Sequence, residues 1–93
     1  MKNGYKVFWT DNALDELKEN WTNKELKKLA KELDKTLSLI SQNPNLFPFS
    51  DKKQIRKAVV KKLNTIYFRV SNTHDIEILS FFSNRQHPKK RKI

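Results

Sequence analysis

Cationic, aromatic and imidazole side chains cluster in the second half of the chain, in and just after runs that resemble β-strands. Arg56 shares one side of such a run with Ala58 and Val60, and Arg69 lies on the same side of the next run as Tyr67. Arg85 and His87 follow the last run directly. Neighbouring strands could bring these residues to one side or end of the domain as a cationic surface.

A surface of this kind could bind a phosphodiester. Cleaving RNA without a metal needs a base for the 2′-hydroxyl, cations for the developing charge and an acid for the leaving oxygen. His87, or less plausibly His74, is the side chain that titrates near neutral pH, and Arg56 and Arg85 are the natural phosphate ligands. The alternative is that these cations are solvated or meet a protein partner, and His74 is expected to be an ordinary turn residue.

Other kinds of site are disfavoured by the composition. The single glycine, Gly4, does not support a glycine-rich phosphate loop, and two histidines without clustered acids do not predict a metal site. No serine is marked as the nucleophile of a Ser-His-Asp triad. We therefore predict neither a cofactor nor a metal.

The charge distribution restricts the partners. Residues 1–50 carry eight Lys/Arg and seven Asp/Glu, whereas residues 51–93 carry twelve and three. A surface with such an excess attracts RNA, DNA, an anionic membrane or an acidic protein. The chain has no cysteine, no apolar run long enough to span a membrane and no signal-peptide pattern, so a soluble, cytoplasmic protein without membrane partners is expected.

The first half of the sequence predicts a strand and two helices. Residues 5–10 alternate as in a strand, and residues 10–21 have helical apolar spacing after the candidate caps Thr10, Asp11 and Asn12. The capping-box pattern Thr22 to Glu25 begins a second, longer helix that stops at residues 43–44. Its five lysines lie opposite the apolar stripe and are interpreted as a solvated face.

The second half predicts three strands after a proline-rich connection. Residues 55–61, 65–70 and 75–82 are β-like runs separated by polar segments of turn length, so antiparallel neighbours are expected. Leu46, Phe47 and Phe49 in the connection are expected to fold back on the core. The predicted fold is α+β: an N-terminal strand, an αα hairpin and a three-strand antiparallel meander, with the helices on one sheet face. We expect residues 1–93 to form one domain and residues 89–93 to be a flexible basic end.

Several segments together resemble the RelE/ParE family of bacterial toxins from type II toxin-antitoxin systems. They are "YKVFWTDNALDELKEN", "LDKTLSLISQNPNLFP", "IRKAVVKKLNTIYFRV" and "IEILSFFSNRQHPKK", in this order and over nearly the whole chain. The resemblance implies an αα hairpin on a small antiparallel sheet, and a toxin that a co-encoded antitoxin holds inactive. RelE-like members cut mRNA on the ribosome, whereas ParE-like members inhibit DNA gyrase without doing chemistry themselves.

The resemblance also implies roles for individual residues. Arg56 and Arg85 occupy positions at which RelE-like nucleases place phosphate-binding basic residues. Thr65 stands where those nucleases usually have an arginine, Ala58 where some have a lysine, and no tyrosine follows Arg85. These departures favour a ParE-like, gyrase-directed toxin or an otherwise diverged toxin over a ribosome-dependent mRNA nuclease.

Three classes of function therefore remain open. The favoured one is a toxin neutralised by an acidic antitoxin and acting on DNA gyrase or, alternatively, on mRNA in the ribosome. The others are a non-toxic nucleic-acid-binding module and a structural interaction protein. If the protein is a nuclease, the catalytic residues are Arg56, Arg85 and His87. The predicted contacts with target or antitoxin are Arg56, Tyr67, Arg69, Arg85 and His87.

Overall fold

The computed structural model describes residues 4–52, 54–61, 64–71 and 73–83. Arg85, His87 and the predicted basic end at 89–93 lie outside these residues. The elements in chain order are β1 (Lys6–Trp9), α1 (Asp11–Asn20), α2 (Asn23–Gln42), a short 3-10 helix (Pro44–Leu46), β2 (Arg56–Val60), β3 (Asn64–Val70) and β4 (Asp75–Ser83). The predicted order of one strand, two helices and three strands is confirmed.

The four strands form one mixed sheet in the order β1-β4-β3-β2. The β2–β3 and β3–β4 pairs are antiparallel, as predicted from the short intervening segments. β1 instead pairs in parallel with β4, with Val7 opposite Ile76, which corrects the expectation of an entirely antiparallel sheet. Parallel neighbours need a long crossover connection, and the two helices with β2 and β3 provide it here.

Both helices begin at side-chain caps. The Thr10 hydroxyl accepts a hydrogen bond from the Ala13 N–H at 3.3 Å at the start of α1. The Thr22 hydroxyl accepts one from the Glu25 N–H at 3.1 Å, and the Glu25 carboxylate accepts one from the Thr22 N–H at 2.9 Å. This confirms the predicted capping box, which satisfies two backbone donors that a helix start otherwise leaves without partners.

The core lies between the helices and one face of the sheet. Side chains of β3 and β4 point into it, and several of them have no exposed surface: Ile66, Phe68, Ile76, Ile78 and Phe81. In β4 the spacing of core residues changes from two to three after Ile78, where the register with β3 shifts. Trp21, at the end of α1, stacks on Phe81 with ring centroids 4.5 Å apart and planes 6° from parallel. The aromatic pair fixes the helical hairpin against the centre of the sheet.

The connection before β2 contributes less to the core than predicted. Phe47 packs edge-on against Phe68 with centroids 5.8 Å apart, as expected. Leu46 and Phe49 remain 74% and 55% exposed, so the prediction that they fold back on the core is wrong. The reason is local geometry: Pro44 is the buried residue of the 3-10 helix, and Phe49 lies at the sheet margin in an isolated bridge with Arg56.

α1 covers the edge of β4 beyond the end of β1. β1 pairs with β4 only as far as Ile78. From there the Thr10 N–H donates to the Ile78 carbonyl at 3.1 Å, and Asn12 Nδ2 donates to the Leu79 carbonyl at 2.9 Å. Backbone groups that would otherwise form an open strand edge are thereby paired with the start of α1.

Candidate functional site

Several contacts hold the side chain of the predicted site residue Arg56. Its Nη1 donates to the Phe47 carbonyl at 2.6 Å, and its Nη2 donates to Asn45 Oδ1 at 3.3 Å. The guanidinium carbon also lies 4.0 Å from the centroid of the Phe49 ring. We call the group formed by Asn45, Phe47, Phe49, Gln54 and Arg56 the Arg56 corner.

The backbone of the connection is tied to β2 beside this side chain. The Lys57 N–H donates to the Pro48 carbonyl at 3.0 Å, and the Ser50 N–H donates to the Ile55 carbonyl at 2.7 Å. Gln54 closes the intervening loop with a positive φ of 66°, a conformation that residues other than glycine adopt rarely. Arg56 therefore has a structural task, because its side chain and the neighbouring backbone together hold the connection against the sheet.

Two open clefts flank the Phe49 ring. One, of about 250 Å³, is lined by the corner residues Asn45, Phe49, Gln54 and Arg56 together with Val70. The other, of about 380 Å³, is lined by residues 49–52 and Gln54. A guanidinium has five N–H donors, so two bonds to the connection leave donors that an anion in the first cleft can reach. The corner can thus offer an apolar ring and a fixed cation to a ligand.

Tyr67 and Arg69 lie on the opposite face of the sheet from Arg56. Arg56 is the cross-strand partner of Phe68, whose side chain points into the core, whereas Tyr67 and Arg69 flank Phe68 in β3 and point away from the helices. Arg69 Nε pairs with Glu77 Oε1 at 2.6 Å, with the two side chains 54% and 33% exposed. Arg56 therefore does not share a face of the sheet with Tyr67 and Arg69.

His74 occupies the turn between β3 and β4, as predicted. It has a positive φ of 65° and its ring stacks on Tyr5, with centroids 5.0 Å apart. The contact ties this turn to the residue before β1. The predicted site residues Arg85 and His87 lie outside the described residues, so their distance from the Arg56 corner stays a prediction.

Glu16 is a buried carboxylate that the sequence analysis did not single out. It is 3% exposed, and its Oε1 accepts hydrogen bonds from Ser80 Oγ at 2.6 Å, from the Phe81 N–H at 3.2 Å and from Asn12 Nδ2 at 3.4 Å. Glu16 follows Ala13 by three residues and therefore shares its core-facing side of α1, which is the signal that could have identified it. These contacts extend the pairing of the β4 edge, so we assign Glu16 a structural role.

Within the described ranges, no three side chains of the metal-binding types come together, and no helix has the length and apolarity needed to cross a membrane. The predicted absence of a metal or cofactor stays a prediction for the whole chain.

Two helices on one face of a small mixed sheet, with the sheet order β1-β4-β3-β2, form the RelE/ParE-like fold. The chain resembles a solved structure described as "Chromosomal ParDE TA system from P. aeruginosa", with a TM-score of 0.62 and 17% sequence identity. The match covers 88% of this chain and 98% of the other. No family model matches the sequence, and no curated protein matches it significantly. At this identity the similarity establishes the fold.

Proposed function

We propose that this protein is the toxin of a type II toxin-antitoxin system and that it inhibits growth through DNA gyrase, as ParE-like toxins do. The observation that carries the proposal is the structural match to a chain of a ParDE system, which covers 88% of this chain and 98% of the other. The sequence resemblance to RelE/ParE toxins, which depends on separate segments of the chain, supports the same class.

Two features support gyrase inhibition over RNA cleavage. Thr65, at the position where RelE-like nucleases usually carry an arginine, is 6% exposed and offers no cation. Arg56 has two guanidinium nitrogens hydrogen-bonded to the connection, so part of the group that a nuclease would use for phosphate is already occupied. A toxin that acts by binding its target needs neither a base nor a set of phosphate ligands.

The Arg56 corner supports an acidic and partly apolar antitoxin as the partner. Phe49 presents an exposed ring beside the Arg56 guanidinium, and Leu46 is the most exposed large apolar side chain of the described residues. An antitoxin segment with alternating acidic and apolar residues would satisfy both properties. On the other face of the sheet, the exposed Arg69 is a proposed contact with the target, together with Arg85 and His87. Tyr67, the other predicted contact on this face, is only 7% exposed and leaves little surface for a partner.

The first experiment is induction in bacteria without a partner gene. We expect growth arrest and the accumulation of relaxed plasmid, measured on chloroquine gels, because an inhibited gyrase cannot restore negative supercoils. Normal growth at high expression would refute the toxin class. Growth arrest with normal supercoiling and new RNA ends inside translated messages would instead establish the ribosome-dependent endoribonuclease.

The site residues are tested separately from folding. Arg69→Ala, Arg85→Ala and His87→Ala are compared with Lys18→Ala, an exposed position on α1 outside the proposed contacts. We expect the first three to relieve growth arrest while circular dichroism remains unchanged, and Lys18→Ala to remain toxic. If all four proteins arrest growth equally, the proposed target contacts are wrong even though the toxin class stands.

A further inference from the structure

Five lysines form a continuous cationic row on the solvent face of α2, and we call this row the α2 lysine stripe. Its members are all exposed: Lys24, Lys27, Lys28, Lys31 and Lys35. At 3.6 residues per turn they fall within an arc of about 100°, and at 1.5 Å per residue the row is about 16 Å long. Within that arc, residues 24–35 contribute only lysines.

Acids of the same helix flank the stripe: Glu25, Glu32 and Asp34 lie three or four residues from Lys28, Lys31 or Lys35. None of its ammonium groups forms an ion pair with a carboxylate of the described residues, whose one such pair joins Arg69 and Glu77. Three pairs of lysines are spaced four residues apart, namely 24/28, 27/31 and 31/35. Like charges at this spacing repel and destabilise a helix. The flanking acids offset part of this repulsion, and a polyanion laid along the lysines would relieve the rest.

The chemistry of the stripe distinguishes among polyanions. Protein interfaces have an apolar centre, but the apolar residues of α2 that are buried, Leu29 and Ile40, face the core on the opposite side. Single-stranded nucleic acids are bound through aromatic stacking platforms, and the stripe has no aromatic residue. The ammonium group of lysine is a compact point charge, and such groups typically contact the phosphate oxygens of a nucleic-acid backbone. A rigid duplex is the polyanion that this straight row fits.

We propose that the α2 lysine stripe binds the phosphate backbone of double-stranded DNA without reading its sequence. B-form DNA admits an α-helix at its wide major groove, whereas the major groove of A-form RNA is too narrow for side chains to read, so a helix-borne row fits DNA better. This inference goes beyond the proposed function, which assigns no role to the solvent face of α2. It depends only on the charges of this helix.

The test measures DNA binding of the purified full-length chain over a range of salt concentrations, by fluorescence anisotropy with a labelled DNA duplex. The triple variant Lys28→Gln/Lys31→Gln/Lys35→Gln should lower the slope of log affinity against log salt by about 2.7, which is about 0.9 for each lost phosphate contact. Wild type should then lose about 40-fold more affinity than the variant between about 50 and about 200 mM salt.

The matched control removes three other exposed lysines. Lys6→Gln/Lys18→Gln/Lys57→Gln has the same net charge as the stripe variant, and its positions lie on β1, α1 and β2. It should retain most of the wild-type slope. Equal slopes for the two triple variants would mean that net charge alone drives binding, and this would overturn the proposal.

A single substitution separates binding from folding. Lys31→Glu removes two repulsive pairs and creates a Glu–Lys pair with Lys35 in the favourable orientation, so its melting temperature should equal or exceed that of wild type. Its DNA affinity should nevertheless fall at least as far as that of Lys31→Gln. A Lys31→Glu protein that binds DNA like wild type, or that is less stable, contradicts the argument.

Two competitors complete the experiment. An RNA duplex of the same length should compete less well than DNA, and poly-glutamate at equal charge concentration should compete poorly. Equal competition by RNA refutes the choice of DNA, and strong competition by poly-glutamate indicates an acidic protein as the ligand. Because these measurements need neither growth arrest nor gyrase, the proposed function can fail while this inference stands, and the reverse is also true.

Discussion

Replacing Glu16 with alanine should destabilise the protein more than any other single truncation of a charged side chain in α1. Glu16 is 3% exposed and its Oε1 accepts from the Ser80 hydroxyl at 2.6 Å and from the Phe81 N–H at 3.2 Å. Ser80 and Phe81 have no exposed surface, so water cannot replace the lost acceptor. Alanine would leave two buried donors without partners.

The expected loss follows from those two donors. A buried donor left unsatisfied costs about 1–3 kcal/mol, so Glu16→Ala should lose about 2–6 kcal/mol of unfolding free energy. A domain of this size has about 5–15 kcal/mol in total, so the variant should be severely weakened. Glu16→Gln keeps an acceptor oxygen but loses the charge, and should lose about 1 kcal/mol, the difference between a charged and a neutral hydrogen bond.

Urea unfolding at constant pH measures these differences, and Glu19→Ala is the control because Glu19 is exposed on the same helix. The control should stay within about 0.5 kcal/mol of wild type. In Glu16→Gln, hydrogen exchange at the Phe81 amide should accelerate more than exchange at amides in the centre of β3. If Glu16→Ala unfolds like the Glu19→Ala control, the carboxylate does not pair the β4 edge and the argument fails.

Three further substitutions test other parts of the fold. Thr22→Ala removes the capping hydroxyl of α2 and should lose about 1 kcal/mol in urea unfolding, whereas Thr36→Ala, in the middle of the same helix, has no cap to lose and serves as control. Gly4→Ala places a methyl group against the Ser41 hydroxyl, which donates a hydrogen bond to the Tyr5 carbonyl at 2.8 Å. The variant should therefore have a lower melting temperature, and the second substitution in Gly4→Ala/Ser41→Ala should restore part of it. A Gly4→Ala protein with the melting temperature of wild type would contradict the close approach. Arg69→Met breaks an exposed ion pair and should change the unfolding free energy by less than about 1 kcal/mol, so a larger loss would show that the pair is more than a surface contact.

Local sequence signals were sufficient to predict the helices and strands. The capping box at Thr22 and Glu25 satisfies backbone donors within one helical turn, and the stop at Asn43 and Pro44 is equally local. The strand period places Ile66 and Phe68 of β3 and Ile76 and Ile78 of β4 on the core side, but Phe81 follows Ile78 by three residues because of a register shift that no local pattern predicts. Local patterns could not predict which of the three apolar side chains of the connection is buried, because this depends on how the connection folds against the sheet. These side chains are Leu46, Phe47 and Phe49.

The candidate site was only partly predictable for the same reason. Strand alternation shows which residues of one strand share a side with Arg56, Tyr67 or Arg69. Whether residues of two different strands lie on the same face of the sheet depends on the register between those strands. Arg56 pairs with Phe68, which puts it on the core side, and Tyr67 and Arg69 therefore point the other way. Two of the three bonds that Glu16 accepts, from Ser80 and Phe81, join α1 to β4 across 64 and 65 residues, beyond the reach of any local pattern.

The sequence by itself determined the succession of helices and strands, the caps and the concentration of cations in the second half, since each depends on residues near one another in the chain. Only the tertiary structure decided that β1 runs parallel to β4, that Arg56 is fixed by the connection before β2, and that Glu16 pairs a strand edge. Those features depend on which distant segments meet, and this is set by packing of the whole core and not by the periodicity of any one segment.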